Sequence, residues 1–212
     1  MASIDLNNVD DSFFDVLKEL GNIGAGNATT ALSQLLNMRI DMKVPKAELL
    51  EFSEVGDAMG GAEQVMAGIE LLIEGDIEGS IMFLLELRAA KKLVSIAMSA
   101  LGMPPMEEED PDDPSFNEMQ QSALLEFGNI IAGAYLNSLS SLTNLVISPT
   151  PPQICVDMLG SIMSAPAIEF AELGDKMLLI DTKFSDDLEL NGYFILVPTL
   201  EAYEKILTSL GM

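Results

Sequence analysis

The sequence predicts an α/β protein, internally duplicated and pseudo-twofold, with long helices packed on a mostly antiparallel sheet of about six strands. Three observations point there. A stretch near the start recurs without a gap about a hundred residues later. Each copy reads as long helix, short strand, strand pair and closing helix. About half of the 212 residues are apolar (49%), and mean hydropathy is +0.30, enough to cover both faces of a shared sheet.

The repeat is clearest where Leu17-Lys18-Glu19-Leu20-Gly21-Asn22-Ile23-Gly24-Ala25-Gly26 lies over Leu124-Leu125-Glu126-Phe127-Gly128-Asn129-Ile130-Ile131-Ala132-Gly133. Glu19 and Glu126, Asn22 and Asn129, and Pro45 and Pro152 all stand 107 positions apart. Leu32, Ser33, Leu35, Asn37 and Ile40 recur in the same register as Leu139, Ser140, Leu142, Asn144 and Ile147.

The elements follow in order. Long helices are predicted over Ser12–Asn37 and Ser115–Leu142, the second opened by a Ser115-x-x-Glu118 capping box. Strand pairs are predicted over Gln64–Ile73 with Ile77–Leu85, and Lys176–Phe184 with Leu188–Val197; Gly75-Asp76 and Asn191-Gly192 lie at or near their turns. Closing helices are predicted over Ala89–Leu101 and Glu201–Leu210. The repeats, about 1–102 and 115–212, are joined by the acidic, proline-broken segment 103–114, expected to be a mobile, solvated linker. With about three strands per half, one domain spanning 1–212 is expected.

Composition excludes several classes of function. The formal charge of −24, from 34 acidic and 10 basic residues, repels phosphate backbones and anionic lipid. Neither nucleic acid nor membrane is expected as a partner. There is no histidine, hence no usual general base and no common metal ligand. The runs of apolar residues, such as Ile81–Leu85, are far short of the ~20 a membrane span needs. The first residues are polar and acidic, unlike a signal peptide. The single cysteine, Cys155, has no internal disulfide partner and, flanked by Ile154 and Val156, is expected to be buried packing. A cytoplasmic protein is expected.

At about 100° per residue, Asp15, Glu19 and Asn22 share one helix face, opposite a burying face of Phe13, Leu17, Leu20, Gly24, Ala28, Ala31 and Leu35. Ser122, Glu126 and Asn129 do the same against Leu124, Phe127, Ile131, Tyr135 and Leu142. A single exposed Glu-x-x-Asn is ordinary helix surface. Its retention in both copies argues for retained chemistry or docking, because exposed letters diverge after duplication while core letters persist. Gly21 and Gly128, on the flank of this stripe, are expected to let a partner surface approach closely.

These residues resemble the motif of the CheC/CheX/FliY family of chemotaxis phosphatases: Asp or Ser, three residues, Glu, two residues, Asn, twenty-two residues, Pro. Asp15-x3-Glu19-x2-Asn22-x22-Pro45 and Ser122-x3-Glu126-x2-Asn129-x22-Pro152 both satisfy it. Two intact sites are similar to the CheC and FliY branches rather than to the shorter CheX-type members. The resemblance implies a phosphatase acting on the aspartyl phosphate of the response regulator CheY. Asn22 and Asn129 would orient the attacking water, and Glu19 and Glu126 would dock on the regulator's lysine. Asp15, Ser122, Pro45 and Pro152 would have supporting roles. No cofactor of its own is implied; Mg²⁺ is expected on the phosphorylated partner. The receptor deamidase CheD is implied as a second partner. Gln153–Met163 reads as a short apolar helix in which Asp157 is the residue to test for CheD contact. The alternatives are a non-enzymatic adaptor for CheD or CheY, and a flagellar-switch component of FliY type. A duplicated chain already carries the symmetry a dimer would supply, so a monomer is expected.

Overall fold

Two 26-residue helices, α1 (Asp11–Leu36) and α4 (Glu118–Thr143), form the spine of the computed structural model, which describes residues 11–103, 110–170, 176–184 and 191–211. Both end the same way. Asn37 (φ 50°) and Asn144 (φ 57°) take the left-handed conformation that an asparagine tolerates and that stops a helix. Beyond each stop, the repeated serine ties the outgoing chain back. The Ser33 hydroxyl accepts from the Ile40 N–H (3.1 Å), and the Ser140 hydroxyl donates to the Leu145 carbonyl (2.6 Å). The helix starts differ from expectation in one respect. Asn117, not Ser115, caps α4: its Oδ1 accepts from the N–H groups of Met119 and Gln120, and its own N–H donates to the Gln120 side chain. Ser115 is instead engaged by the Asp113 carboxylate.

Seven strands form one antiparallel sheet: β1 (Met42–Glu51), β2 (Val65–Gly75), β3 (Gly79–Glu86), β4 (Ile147–Pro149), β5 (Gln153–Met158), β6 (Lys176–Phe184) and β7 (Asn191–Pro198). Their order is β1-β6-β7-β3-β2-β4, with β5 also on β2. Each half therefore lends its first strand to the other: β1 pairs with β6, and β5 with β2. The halves meet at β3 and β7, where Met82 faces Ile195, Phe83 faces Phe194 and Leu84 faces Tyr193. Phe83 and Phe194, 111 positions apart, sit where the pseudo-dyad crosses the sheet.

The expected sheet of about six strands is present, its count of seven arising because β4 and β5 together answer to β1. In β1 the register with β6 slips between Lys43 and Lys46. Between β4 and β5 the register with β2 slips likewise, from Ile73↔Pro149 to Glu70↔Gln153. Pro45 and Pro152 lie in these two irregularities, where a missing N–H breaks no ladder bond. In the second half Pro151 adds a second missing donor, and the strand is interrupted outright.

One sheet face carries α1, α4, α3 (Leu87–Ala100) and α6 (Leu200–Ser209). Leu20, Ala28, Leu32, Phe127, Ile131, Tyr135, Leu93 and Ile206 pack there on Ile69, Phe83, Ile180 and Phe194. The other face is partly covered by α2 (Phe52–Ala58) and α5 (Leu159–Phe170); Val55, the Met59 that follows α2, Leu159 and Met163 close over Met66, Leu84, Leu179 and Ile195. The seven residues of α2 carry no periodic signal long enough to be read from sequence. Among the described residues no helix is long and apolar enough to cross a membrane.

Four further expectations are corrected. Leu142 is exposed (42%), while Ala25, Leu32 and Leu36 join the buried face of α1. The second part of the presumed mobile linker is pinned to α3: Arg88 forms a bidentate pair with Asp112 (2.8 Å each), and Lys91 donates to the Ser115 carbonyl (2.6 Å) and lies over the Phe116 ring. Residues 104–109 lie outside the described residues. So do 185–190, where the last strand was expected to begin; its described part runs from Asn191, and Gly192, expected at or near the turn, packs within it under Phe83. Cys155 is exposed on an edge strand, because β5 alternates Ile154 and Val156 inward and Cys155 outward.

Candidate functional site

The helix period places the two motif copies. Leu17, Leu20 and Gly21 of α1 are turned into the core, which leaves Asp15, Glu19 and Asn22 exposed on the ridge. Leu124, Phe127 and Gly128 of α4 are turned in, and Ser122, Glu126 and Asn129 stand out. All six polar motif residues are exposed, as the periodicity required. Glu and Asn three apart on a helix present their side chains side by side, about 5–6 Å apart at Cβ. Each pair is thus a carboxylate and an amide on a convex rigid ridge, shaped to enter a pocket on something else.

The two glycines do a different job from the one the sequence suggested. Gly21 and Gly128 are buried against the sheet, not open to a partner. A Cβ on Gly21 would lie 3.2 Å from both methyls of Val44 in β1, and a Cβ on Gly128 would collide with Ile69 of β2. They let each helix settle onto the sheet directly beneath its asparagine, which holds the pair at a fixed height. The helices also meet each other closely, since a Cβ on Gly24 would come within 3.0–3.2 Å of Tyr135 in α4. Spacing alone could not assign the glycines' direction. The apolar character of Val44 and Ile69 in facing strands was the available signal.

One amide is tethered. The Asn22 Oδ1 accepts from the Val44 N–H at 3.2 Å, at the bulge that precedes Pro45. Among the described residues the Asn129 side chain makes no hydrogen bond. Pro45 and Pro152 belong to the strand breaks rather than to the exposed ridges.

Asp157 is not in a helix: it is exposed on edge strand β5, its Oδ1 accepting from the Met158 N–H (2.7 Å), and helix α5 begins only at Leu159. The β-branched and alternating residues of Gln153–Met158 favour a strand, and pairing with β2 decides it. Among the described residues no group of three or more His, Cys, Asp or Glu is placed to hold a metal ion.

The duplicated sheet with its two long helices recurs in solved structures. The crystal structure of Thermotoga maritima FliY superposes with a TM-score of 0.73 at 19% identity, covering 96% of this chain and 98% of that one. The FliM middle domain from H. pylori superposes with a TM-score of 0.63 at 8% identity, covering 95% and 99%. Within that fold the sequence is more specific. The model of the CheC-like family matches residues 15–49 and 119–156, the two segments that hold the motif copies. The CheY-P phosphatase CheC of Bacillus subtilis (strain 168) is 37% identical over 97% of each chain. This chain belongs to the CheC-like family.

Proposed function

We propose that this protein is a phosphatase of phosphorylated CheY, carrying two sites, Glu19/Asn22 and Glu126/Asn129. The observation that carries this reading is the duplicated, solvent-exposed Glu/Asn pair on two long helices that share one sheet face. An aspartyl phosphate is already activated, so its hydrolysis asks for positioning and charge stabilisation rather than a strong base. That suits a chain without histidine. The asparagine enters the regulator's pocket and orients a water in line with phosphorus. The water oxygen bonds to phosphorus as the bond to the aspartyl oxygen breaks, yielding inorganic phosphate and the free carboxylate. An amide both donates and accepts hydrogen bonds without ionising, which suits it to hold that water. The glutamate pairs with the regulator's lysine and sets the register of docking. Mg²⁺ is supplied by the regulator's own carboxylates.

The reading extends to a cytoplasmic monomer that also binds CheD through the region of Asp157. Asp157→Lys should abolish CheD binding, and unchanged affinity would remove Asp157 from that surface. The central experiment is phosphate release from Mg²⁺-loaded, phosphorylated CheY with this protein at substoichiometric concentration. Multiple turnovers that vanish in the Asn22→Ala/Asn129→Ala double variant are expected. Native turnover in the double variant would refute the mechanism. Binding without acceleration by the unaltered protein would leave an adaptor.

A further inference from the structure

We infer that the two sites are unequal, and that the backbone N–H of Val44 is a positioning group that holds Asn22 back while Asn129 stands ready. The inference rests on the phosphatase reading above for its kinetic consequence, but its structural basis is independent of it. Asn22 Oδ1 accepts from Val44 N–H at 3.2 Å. That N–H is available because it lies where the β1–β6 register slips, between Lys43 and Lys46, and so is not consumed by the ladder.

The second half has no counterpart to this bond. In the register that matches Asn22 to Asn129 and Pro45 to Pro152, the residue matching Val44 is Pro151, which has no N–H to give. The seating of the helices differs in the same sense. Gly21 rests on Val44 of β1, the edge strand that holds the bulge, whereas Gly128 rests on Ile69 of β2, one strand further in. Both differences accompany the lack of a hydrogen bond to the Asn129 side chain among the described residues.

The tether matters because its acceptor is the oxygen that would orient the water. To enter a partner's pocket Asn22 must release Val44, whereas Asn129 releases nothing. The cost falls on forming the productive complex and so on kcat/KM. The second site should exceed the first by about three- to tenfold, the range one hydrogen bond of this kind allows.

Single-site variants test the ranking. With phosphorylated CheY, Asn22→Ala (second site alone) should show about three- to tenfold higher kcat/KM than Asn129→Ala (first site alone). Adding Val44→Pro to Asn129→Ala recreates the Pro-Pro pair of 151–152 and should raise kcat/KM by that same factor. A defect in folding would lower activity, so a gain is specific to release of Asn22. Amide hydrogen exchange at Val44 tests the tether without turnover and without a proline: exchange should quicken several-fold in Asn22→Ala, and on saturation of the unaltered protein with beryllofluoride-activated CheY. Equal or reversed ranking of the sites, or Val44 exchange indifferent to Asn22→Ala, would overturn the inference. Absence of turnover in the unaltered protein would strike the phosphatase reading instead, leaving the exchange result to judge the tether.

Discussion

Phe83 and Phe194 stack with ring centroids 4.7 Å apart across the β3–β7 pair, each standing at the corresponding position of its own repeat. Tyr135 of α4 stacks in turn on Phe194 at 4.4 Å, and Phe184 tilts against Phe83 at 6.2 Å. The strands that join the halves are thus held by an aromatic cluster on the side that carries the two site helices.

Truncating that contact should be costly. Both Phe83 and Phe194 are fully buried, and Phe194→Ala should destabilise the protein by about 3–5 kcal/mol. Chemical denaturation would measure this as a lower midpoint. A loss under about 1 kcal/mol would show that the halves do not depend on the cluster.

The site glycines should respond in graded order. Gly128→Ala drives a methyl into Ile69 and should cost about 1–3 kcal/mol, lifting Glu126 and Asn129 with the helix. Gly21→Ala meets only the Val44 methyls at 3.2 Å and should cost less. Gly133→Ala, also in α4, has open space around it and should stabilise by roughly 0.5–1 kcal/mol. Thermal melts of the three variants would give the order. A neutral Gly128→Ala would mean that α4 does not rest on β2 as closely as described.

Alkaline pH should unfold the protein through its buried phenols. Burial pushes the Tyr135 hydroxyl up to about 12, with the hydrogen bond to Thr182 (3.4 Å) pulling the other way, and burial raises Tyr203 too. A raised folded-state pKa contributes stability that is fully present below the ordinary value near 10 and is lost as pH rises through about 12. For Tyr135 that is on the order of 2–3 kcal/mol. Tyr135→Phe should flatten the fall in stability across that window, read by denaturant titrations at successive pH values. An unchanged slope would place the alkaline transition elsewhere.

Cys155 should react as an exposed but sluggish thiol. Partial burial raises its pKa, and the nearby Glu70 and Asp157 carboxylates add to the rise. The rate with a disulfide reagent should climb at higher pH than for free cysteine, because the thiolate is the nucleophile. Turnover of Cys155→Ser should match that of the unaltered protein. Rapid labelling at neutral pH would contradict this environment.

Much of the site was legible from spacing alone. Asp15, Glu19 and Asn22 are exposed because Leu17, Leu20 and Ala28 must face inward, and a 3.6-residue period carries both facts. The second copy confirmed the first through an unbroken register. Misreadings arose where two elements compete for a residue. Gly21 and Gly128 flank the polar stripe in a helix considered alone, but the strand beneath claims them. Gln153–Met158 is apolar enough for either a helix or a strand, and β2 makes it a strand. Ser115 fits a capping box, yet Asn117 caps two residues later because Asp113 already holds Ser115.

The sequence by itself determined the duplication, the long helices, the strand pairs and which six polar residues stand on the ridges. These follow from local periodicity and from letters repeated in register. Only the tertiary structure decided that each half lends its first strand to the other, that the repeated prolines sit in strand breaks, and that Val44 N–H reaches Asn22 while Pro151 offers Asn129 nothing. Strand exchange, register slips and a side chain meeting a backbone donor 22 residues away all depend on which strands lie side by side. Non-local pairing of that kind leaves no periodic trace along the chain.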